Sequence, residues 1–89
     1  MGSNIDWELI SFIKRSNIRG NIIKSINSPK TPSDLTKELQ LPFNSISRAL
    51  NELERKNLIK CLNPAQKQGR FYQLTTKGKE IKSRLNKLG

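Results

Sequence analysis

Short hydroxyl, amide and guanidinium side chains are spaced along one stretch, NSISRALNELERKNLIKCLNP at positions 44–64. Its apolar residues recur at the i, i+4, i+7 spacing of a helix: Ile46, Leu50 and Leu53. Ser45, Ser47, Arg48 and Asn51 fall outside that stripe, although Ser and Asn are weaker helix formers than the Lys and Glu of an ordinary solvated face. Short side chains let a helix approach base edges. Arginine can donate two hydrogen bonds to guanine, and asparagine can pair similarly with adenine.

The alternative for this stretch is a solvated face on which Arg48 pairs with Glu52 at i+4, a pair worth about 0.2–0.5 kcal/mol. Composition favours the first interpretation. The 89 residues contain 17 Lys and Arg against 7 Asp and Glu, a net charge of +10. So large an excess on a short chain predicts a polyanionic partner, nucleic acid first and an anionic membrane surface second.

Catalysis and metal binding are not expected, because the chain has no histidine, one cysteine and scattered carboxylates. Glu52 and Glu54 are two apart and would not face each other on a helix. We therefore predict no enzyme, no catalytic residue, no metal site and no cofactor. Cys61 is predicted to be a core thiol in a reducing compartment. No run approaches the roughly 18 apolar residues of a membrane span, and no signal-peptide pattern is visible, so we expect a cytoplasmic protein without a membrane partner.

Two helices are predicted in the N-terminal third. The first, at 5–14, has one apolar face that Trp7 and Ile10 widen; its members are Ile5, Leu9, Phe12 and Ile13. The second follows a cap at Ser16-Asn17 and is stopped by Asn27-Ser28-Pro29. Since the other four apolar residues of this helix already suffice for one buried face, Trp7 and Ile10 are not needed for the core of a monomer. They predict a homodimer, in which they meet the same helix of a second subunit or its last helix at Leu85 and Leu88. The alternative is a monomer in which Trp7 folds back over the wing or the last helix of its own chain.

A third helix is predicted to begin at Thr31-Pro32-Ser33-Asp34, where Thr31 caps the free amides and Asp34 complements the dipole. The amide end of this helix can also bind a phosphate, with Lys30 beside it and the Ser33 hydroxyl near. Leu41-Pro42-Phe43 then forces a turn. Asn44 or Ser45 is predicted to cap the fourth helix, and Asn57 to end it in a left-handed conformation.

A hairpin is predicted next, with strands at 58–62 and 70–75 and a polar, basic tip at 63–69. Alternation along the second strand should turn one of Phe71 and Tyr72 inward, a simpler interpretation than base stacking by both. A last helix opens at Thr76. The order predicts a mainly α fold with a small β-hairpin, a winged helix-turn-helix. We expect a single domain over 1–89: an N-terminal helix at 5–15, a winged-helix core at 16–76 and a C-terminal helix at 77–88.

Particular runs also resemble the archaeal and bacterial winged helix-turn-helix transcriptional regulators of the ArsR/MarR type. They are SNIRGNIIKSI, TPSDLTKEL, SISRALNELERKNLI and LNPAQKQGRFYQLTTKGKEI, which together cover about 16–81. The resemblance implies a recognition helix at 45–56 in the DNA major groove and a wing at 63–70 on the backbone or minor groove. The chain departs from metal-sensing members in lacking their cysteine pairs and histidines. It also lacks the long dimerisation helices of larger drug-responsive members, so no small-molecule ligand is evident.

The sequence therefore predicts a sequence-specific, double-stranded-DNA-binding transcriptional regulator. The predicted DNA-binding residues are Thr31, Ser33, Asn44, Ser45, Ser47, Arg48, Asn51, Lys67, Gln68 and Arg70. Two alternatives stay open: a protein-interaction winged-helix subunit that has lost DNA contact, and a chromatin-like protein that binds DNA without sequence preference.

Overall fold

A computed structural model describes residues 7–88 of the chain, except for the side chain of Leu88. The predictions for Ile5 and for the Leu88 side chain lie outside the described residues. Within them the helices and strands follow the order α1 Trp7–Lys14, α2 Asn17–Ser25, α3 Pro32–Leu39, α4 Phe43–Arg55, β1 Ile59–Cys61, β2 Tyr72–Leu74 and α5 Thr76–Leu88. The prediction of a mainly helical fold with one antiparallel hairpin is confirmed.

The buried face of α1 is shifted toward Ile10 from the face that its spacing predicts. Leu9, Ile10 and Ile13 are buried in the shared core, whereas Phe12 is only partly covered. The prediction that Ile10 is surplus is wrong, because Ile10 is only 2% exposed. The physical reason is that both α2 and α5 pack against this short helix, so that its side chains are buried against two neighbouring helices. Trp7 remains 58% exposed.

The starts of α2 and α3 are fixed by side-chain caps, as the sequence predicts. The Ser16 hydroxyl accepts a hydrogen bond from the Arg19 amide at 3.5 Å. At α3 the Thr31 hydroxyl accepts from the Asp34 amide at 3.0 Å, while the Asp34 carboxylate accepts from the Thr31 amide at 3.1 Å. This reciprocal pair is a capping box. It sets the direction in which α3 leaves the preceding segment.

Helix α4 begins earlier than predicted. Its N-cap is Pro42, with no side-chain hydrogen bond to the cap, and its first residue is Phe43. The prediction that Asn44 or Ser45 caps this helix is therefore wrong, and both residues lie in its first turn. Proline stabilises this boundary because its fixed φ, here −59°, is compatible with helix entry and it lacks the amide that would be left unpaired. The predicted end is confirmed, since Asn57 is left-handed with φ 62°.

The hairpin strands are shorter than predicted, and their register pairs Ile59 with Leu74 and Cys61 with Tyr72. On its other edge Tyr72 exchanges two backbone hydrogen bonds with Lys30, of 2.8 and 3.0 Å, so the segment before α3 joins the sheet. The alternation prediction is confirmed: Tyr72 is buried and Phe71 is exposed. Cys61 is half-buried at the margin of the core, not fully inside it as predicted.

Helix α5 is docked tightly against the start of the hairpin. The Thr75 hydroxyl donates to the Asn57 carbonyl and accepts from the Gly78 amide. A Cβ atom at Gly78 would lie 2.0 Å from the Leu58 carbonyl oxygen, so this crossing requires glycine. Ile81 and Leu85 complete the core. Leu85 is therefore covered within its own chain, and its predicted role in a dimer contact is wrong.

Candidate nucleic-acid interface

The outer face of α4 carries a continuous polar stripe. The inner face is apolar and buried, consisting of Ile46, Ala49, Leu50 and Leu53. Because a helix turns about 100° per residue, Asn44, Arg48, Asn51 and Arg55, at i, i+4, i+7 and i+11, project from the opposite side. All four are exposed. We call these four residues the α4 outer stripe; Arg55 was not among the predicted DNA-binding residues.

Ser45 and Ser47 do not share the outer stripe. They lie on its two flanks, and both are half-buried. Their short hydroxyls reduce the bulk on either side of Arg48, so that a surface approaching the stripe meets little obstruction. Phe43, the first residue of α4, is 52% exposed at the same end as Asn44. The sequence pattern predicted a turn at Phe43 and did not predict that its side chain is exposed.

Arg48 is not engaged by the carboxylate with which it was alternatively predicted to pair. Glu52 instead accepts a 3.0 Å hydrogen bond from Nε of Arg19 on α2. The Arg48 side chain forms no hydrogen bond or ion pair with residues 7–88. The interpretation of Arg48 as half of a helix-surface ion pair is therefore excluded. Its guanidinium donors are available to an external acceptor.

Arg19 was missed by the sequence analysis. Besides Glu52 it donates to the Phe12 carbonyl oxygen at 2.7 Å, and its guanidinium lies 3.9 Å from the centroid of the Phe12 ring. One side chain thus joins α1, α2 and α4 and fixes the position of the candidate recognition helix. Residues 33 apart in sequence carry no local signal of such a contact.

The N-terminus of α3 is less open to phosphate than predicted. The capping box uses the Thr31 and Asp34 amides, and the bonds from Thr31, its backbone amide first and its side chain second, lower the pKa of Asp34. A carboxylate thus occupies the positive end of the helix. Lys30 forms an ion pair with Glu38. The Ser33 hydroxyl is exposed at this end and remains available.

The wing at 63–70, within the loop between β1 and β2, is shaped by two polar side chains. Asn63 donates to the Gly69 carbonyl at 3.1 Å and accepts from the Phe71 amide at 2.8 Å. Arg70 donates to the Gln66 and Pro64 carbonyls, so its guanidinium is partly used within the loop. Lys67 and Gln68 are exposed and make no side-chain hydrogen bond to the described part of the chain. Lys67 is thus the freer of the two predicted wing cations.

Other kinds of site find little support in the described chain. Across residues 7–88 no cluster of three or more His, Cys, Asp or Glu side chains is arranged to hold a metal ion. None of the helices described is long and apolar enough to cross a membrane.

The chain is similar to known proteins in sequence and in structure. A family described as winged helix-turn-helix matches residues 14–89. No curated protein matches. The reduced form of MarR from E. coli is 28% identical with a TM-score of 0.75, over 91% of this chain and 62% of that one. A cysteine-to-serine MarR mutant from E. coli, complexed with operator DNA, is 28% identical with a TM-score of 0.74, over 91% and 60%.

A MepR mutant from S. aureus is 27% identical with a TM-score of 0.74, over 93% of this chain and 64% of that one. The chain thus spans less than two thirds of the length of these MarR and MepR chains. Its own fold nevertheless agrees with theirs over nine tenths of its residues. By its family match over residues 14–89 and its hairpin and helix order, this chain belongs to the winged helix-turn-helix family and is structurally similar to MarR-family transcriptional regulators.

Proposed function

We propose that this chain is a sequence-specific, double-stranded-DNA-binding transcriptional regulator of the cytoplasm that acts by occupying a site on DNA and not by catalysis. Helix α4 enters the major groove, and the wing at 63–70 contacts the backbone or the minor groove. The observation that carries the proposal is the α4 outer stripe. An arginine whose side chain has no partner within residues 7–88 stands among two asparagines and a second arginine, on a helix whose other face is buried in the core.

Within this proposal each predicted residue has a role. Arg48 and Asn51 read base edges, and Asn44, Ser45 and Ser47 contact backbone or bases around them. Thr31 and Ser33 lie at the start of α3, where the Ser33 hydroxyl binds phosphate. Lys67, Gln68 and Arg70 supply the wing contacts. The net charge of +10 supports a polyanionic partner. Operator DNA is the partner in the similar MarR complex.

We also propose a homodimer, now through Trp7, the one residue among those first predicted whose side chain is both described and exposed. Trp7 borders an open depression that Phe12, Arg15 and Lys56 also line. A large exposed aromatic beside cations is suited to a second protein surface. A two-fold dimer would place two recognition helices about 34 Å apart, on a pseudo-palindromic site.

Selection of bound duplexes from a random pool tests the function. An enriched motif that disappears with an Arg48→Ala, Asn51→Ala double variant, whose helical circular dichroism is retained, is the expected result. Binding without enrichment would instead indicate the chromatin-like alternative. An absence of duplex binding by the folded wild type would favour the protein-interaction alternative.

A further inference from the structure

A second basic surface lies where α5 crosses α2. Helix α2 has an exposed stripe at i, i+4 and i+7, formed by Asn17, Asn21 and Lys24. One open depression at the crossing is lined by this stripe together with Lys14 of α1 and Leu85 of α5. Lysine and asparagine side chains are thus grouped on a surface that includes no residue of the α4 outer stripe.

A second depression lies further along the same crossing. Its polar lining includes Asn27 after α2, and Lys79, Lys82 and Asn86 of α5. Lys82 donates to the Asn27 side-chain oxygen. No carboxylate is among the residues that line either depression. We call the two depressions together the α2–α5 seam.

The part of the seam that lies on α2 is on the side of that helix opposite to α4. At about 100° per residue, Arg19 projects roughly opposite to Asn17, Asn21 and Lys24. Arg19 points at α4, because it is bonded to Glu52. The stripe of α2 that belongs to the seam therefore faces away from α4. A rigid duplex held on α4 and the wing would leave the seam accessible to another molecule.

We propose that the α2–α5 seam binds the phosphate backbone of a second nucleic-acid duplex, so that one chain can bridge two duplexes. Three lysines of the seam are exposed, and their side chains make no hydrogen bond or ion pair with residues 7–88: Lys14, Lys24 and Lys79. Lysine ammonium groups and asparagine amides are donors that suit phosphodiester oxygens and carry no base specificity. Contact at the seam is therefore independent of sequence.

A duplex fits the seam better than an anionic membrane surface does. A helix that lies in a bilayer interface inserts an apolar face beside its basic one. The large apolar side chains of α5 that the structure describes, Ile81 and Leu85, are buried in the core of the chain. They are not available to lipid. What the seam offers is charge and hydrogen-bond donors, which complement a phosphodiester backbone.

A bridging assay tests the inference. The full chain is captured on an immobilised duplex of mixed sequence, and a fluorescent duplex of unrelated sequence is then added. We expect the wild type to recruit the second duplex. A variant with Lys14→Gln, Lys24→Gln and Lys79→Gln should still be captured, yet recruit about tenfold less, with the salt slope of recruitment lower by roughly three. A control variant removes three charges elsewhere: Lys37→Gln, Lys60→Gln and Arg84→Gln.

The inference rests on the proposed function, because the α4 interface is the surface that holds the first duplex. The assay distinguishes failure of the α4 interface from failure of the seam. Loss of the α4 interface would appear as capture that is insensitive to Arg48→Ala and Asn51→Ala. The proposal for the seam is overturned if the wild type recruits no second duplex, or if the control variant loses as much recruitment as the seam variant. It is also overturned if the seam variant recruits as well as the wild type, which is the result expected of a dimer that bridges two duplexes through its two α4 helices. Seam-dependent binding to phosphatidylserine vesicles without recruitment of the duplex would overturn the assignment to nucleic acid.

Discussion

Arg48 is the residue on which base recognition can be tested most directly, because its fold-stabilising role is minimal: it is exposed and has no partner within residues 7–88. If it reads a guanine, Arg48→Ala should weaken binding to the selected site by about 1–3 kcal/mol and flatten preference at one position. The measurement is equilibrium binding to the selected duplex and to single-base variants of it. Equal losses on selected and random duplexes would make Arg48 a phosphate contact.

The two wing cations should behave differently. Lys67→Gln is expected to weaken binding to all sequences alike and to lower the salt slope by about one, with thermal stability unchanged, because the exposed Lys67 side chain makes no hydrogen bond or ion pair within the described chain. Arg70→Gln should lower the slope too, but it also removes the bonds to the Gln66 and Pro64 carbonyls and should loosen the loop. Hydrogen exchange of the loop amides distinguishes the two. A salt slope unchanged in both variants would remove the wing from the binding surface.

The sequence predicted which residues of α4 lie outside its apolar stripe, because helical spacing alone determines this. It did not predict which charges pair. Arg48 and Glu52 are correctly spaced for a surface ion pair, but Glu52 is bonded to Arg19. Long-range partners depend on how helices cross, and single-chain periodicity contains no information on crossing. The same holds for Arg70, whose hydrogen bonds arise from the path of the wing backbone.

The start of α3 links helix capping to acid stability. Because the bonds from Thr31 lower the pKa of Asp34 below its ordinary value of 3.8, this carboxylate stabilises the folded state above that value. The contribution is lost as the pH falls through the lowered pKa, since protonation then removes the charged acceptor. Denaturant unfolding of wild type and Asp34→Asn should therefore differ near neutral pH and converge in acid, once the pH falls below the lowered pKa of Asp34.

Glu54→Gln is the matched control for this prediction, because Glu54 is an exposed carboxylate whose side chain makes no hydrogen bond in residues 7–88. Its stability should differ from the wild type by a similar, small amount at both pH values. A gap between wild type and Asp34→Asn that persists in acid would show that the capping box does not depend on the charge of Asp34.

Local rules predicted most of the elements. The caps at Ser16 and Thr31 and the left-handed Asn57 follow from side-chain chemistry within a few residues, and all three are observed. The start of α4 did not follow, because proline at the boundary competes with the usual capping residues. The strands were predicted too long. Residues at both ends carry β-prone side chains, but the paired register of the hairpin is confined to three residues on each strand.

Whether the chain forms a homodimer depends on the apolar side chains that its own core leaves exposed. Of the residues proposed for a dimer contact, Ile10 and Leu85 belong to the core, and Trp7 alone is both described and exposed. We expect light scattering at tens of micromolar to show a dimer for the wild type and a monomer for Trp7→Ala. Ser11→Ala, a change on the same depression without an aromatic ring, is the control. A monomeric wild type that binds a single half-site would contradict the dimer.

Arg19 also determines how the N-terminal helix relates to the rest of the fold. The family match begins at residue 14, so nearly all of α1 lies before it. Yet Arg19 holds the Phe12 carbonyl and Glu52 at once. Helix α1 is therefore part of the cooperative folding unit and not an appendage. The amide protons in the second half of α1, at 11–14, which can bond to carbonyls within the helix, should exchange with solvent only through global unfolding. In Arg19→Ala they should exchange by local fraying while α4 stays protected; equal protection in both proteins would contradict this coupling.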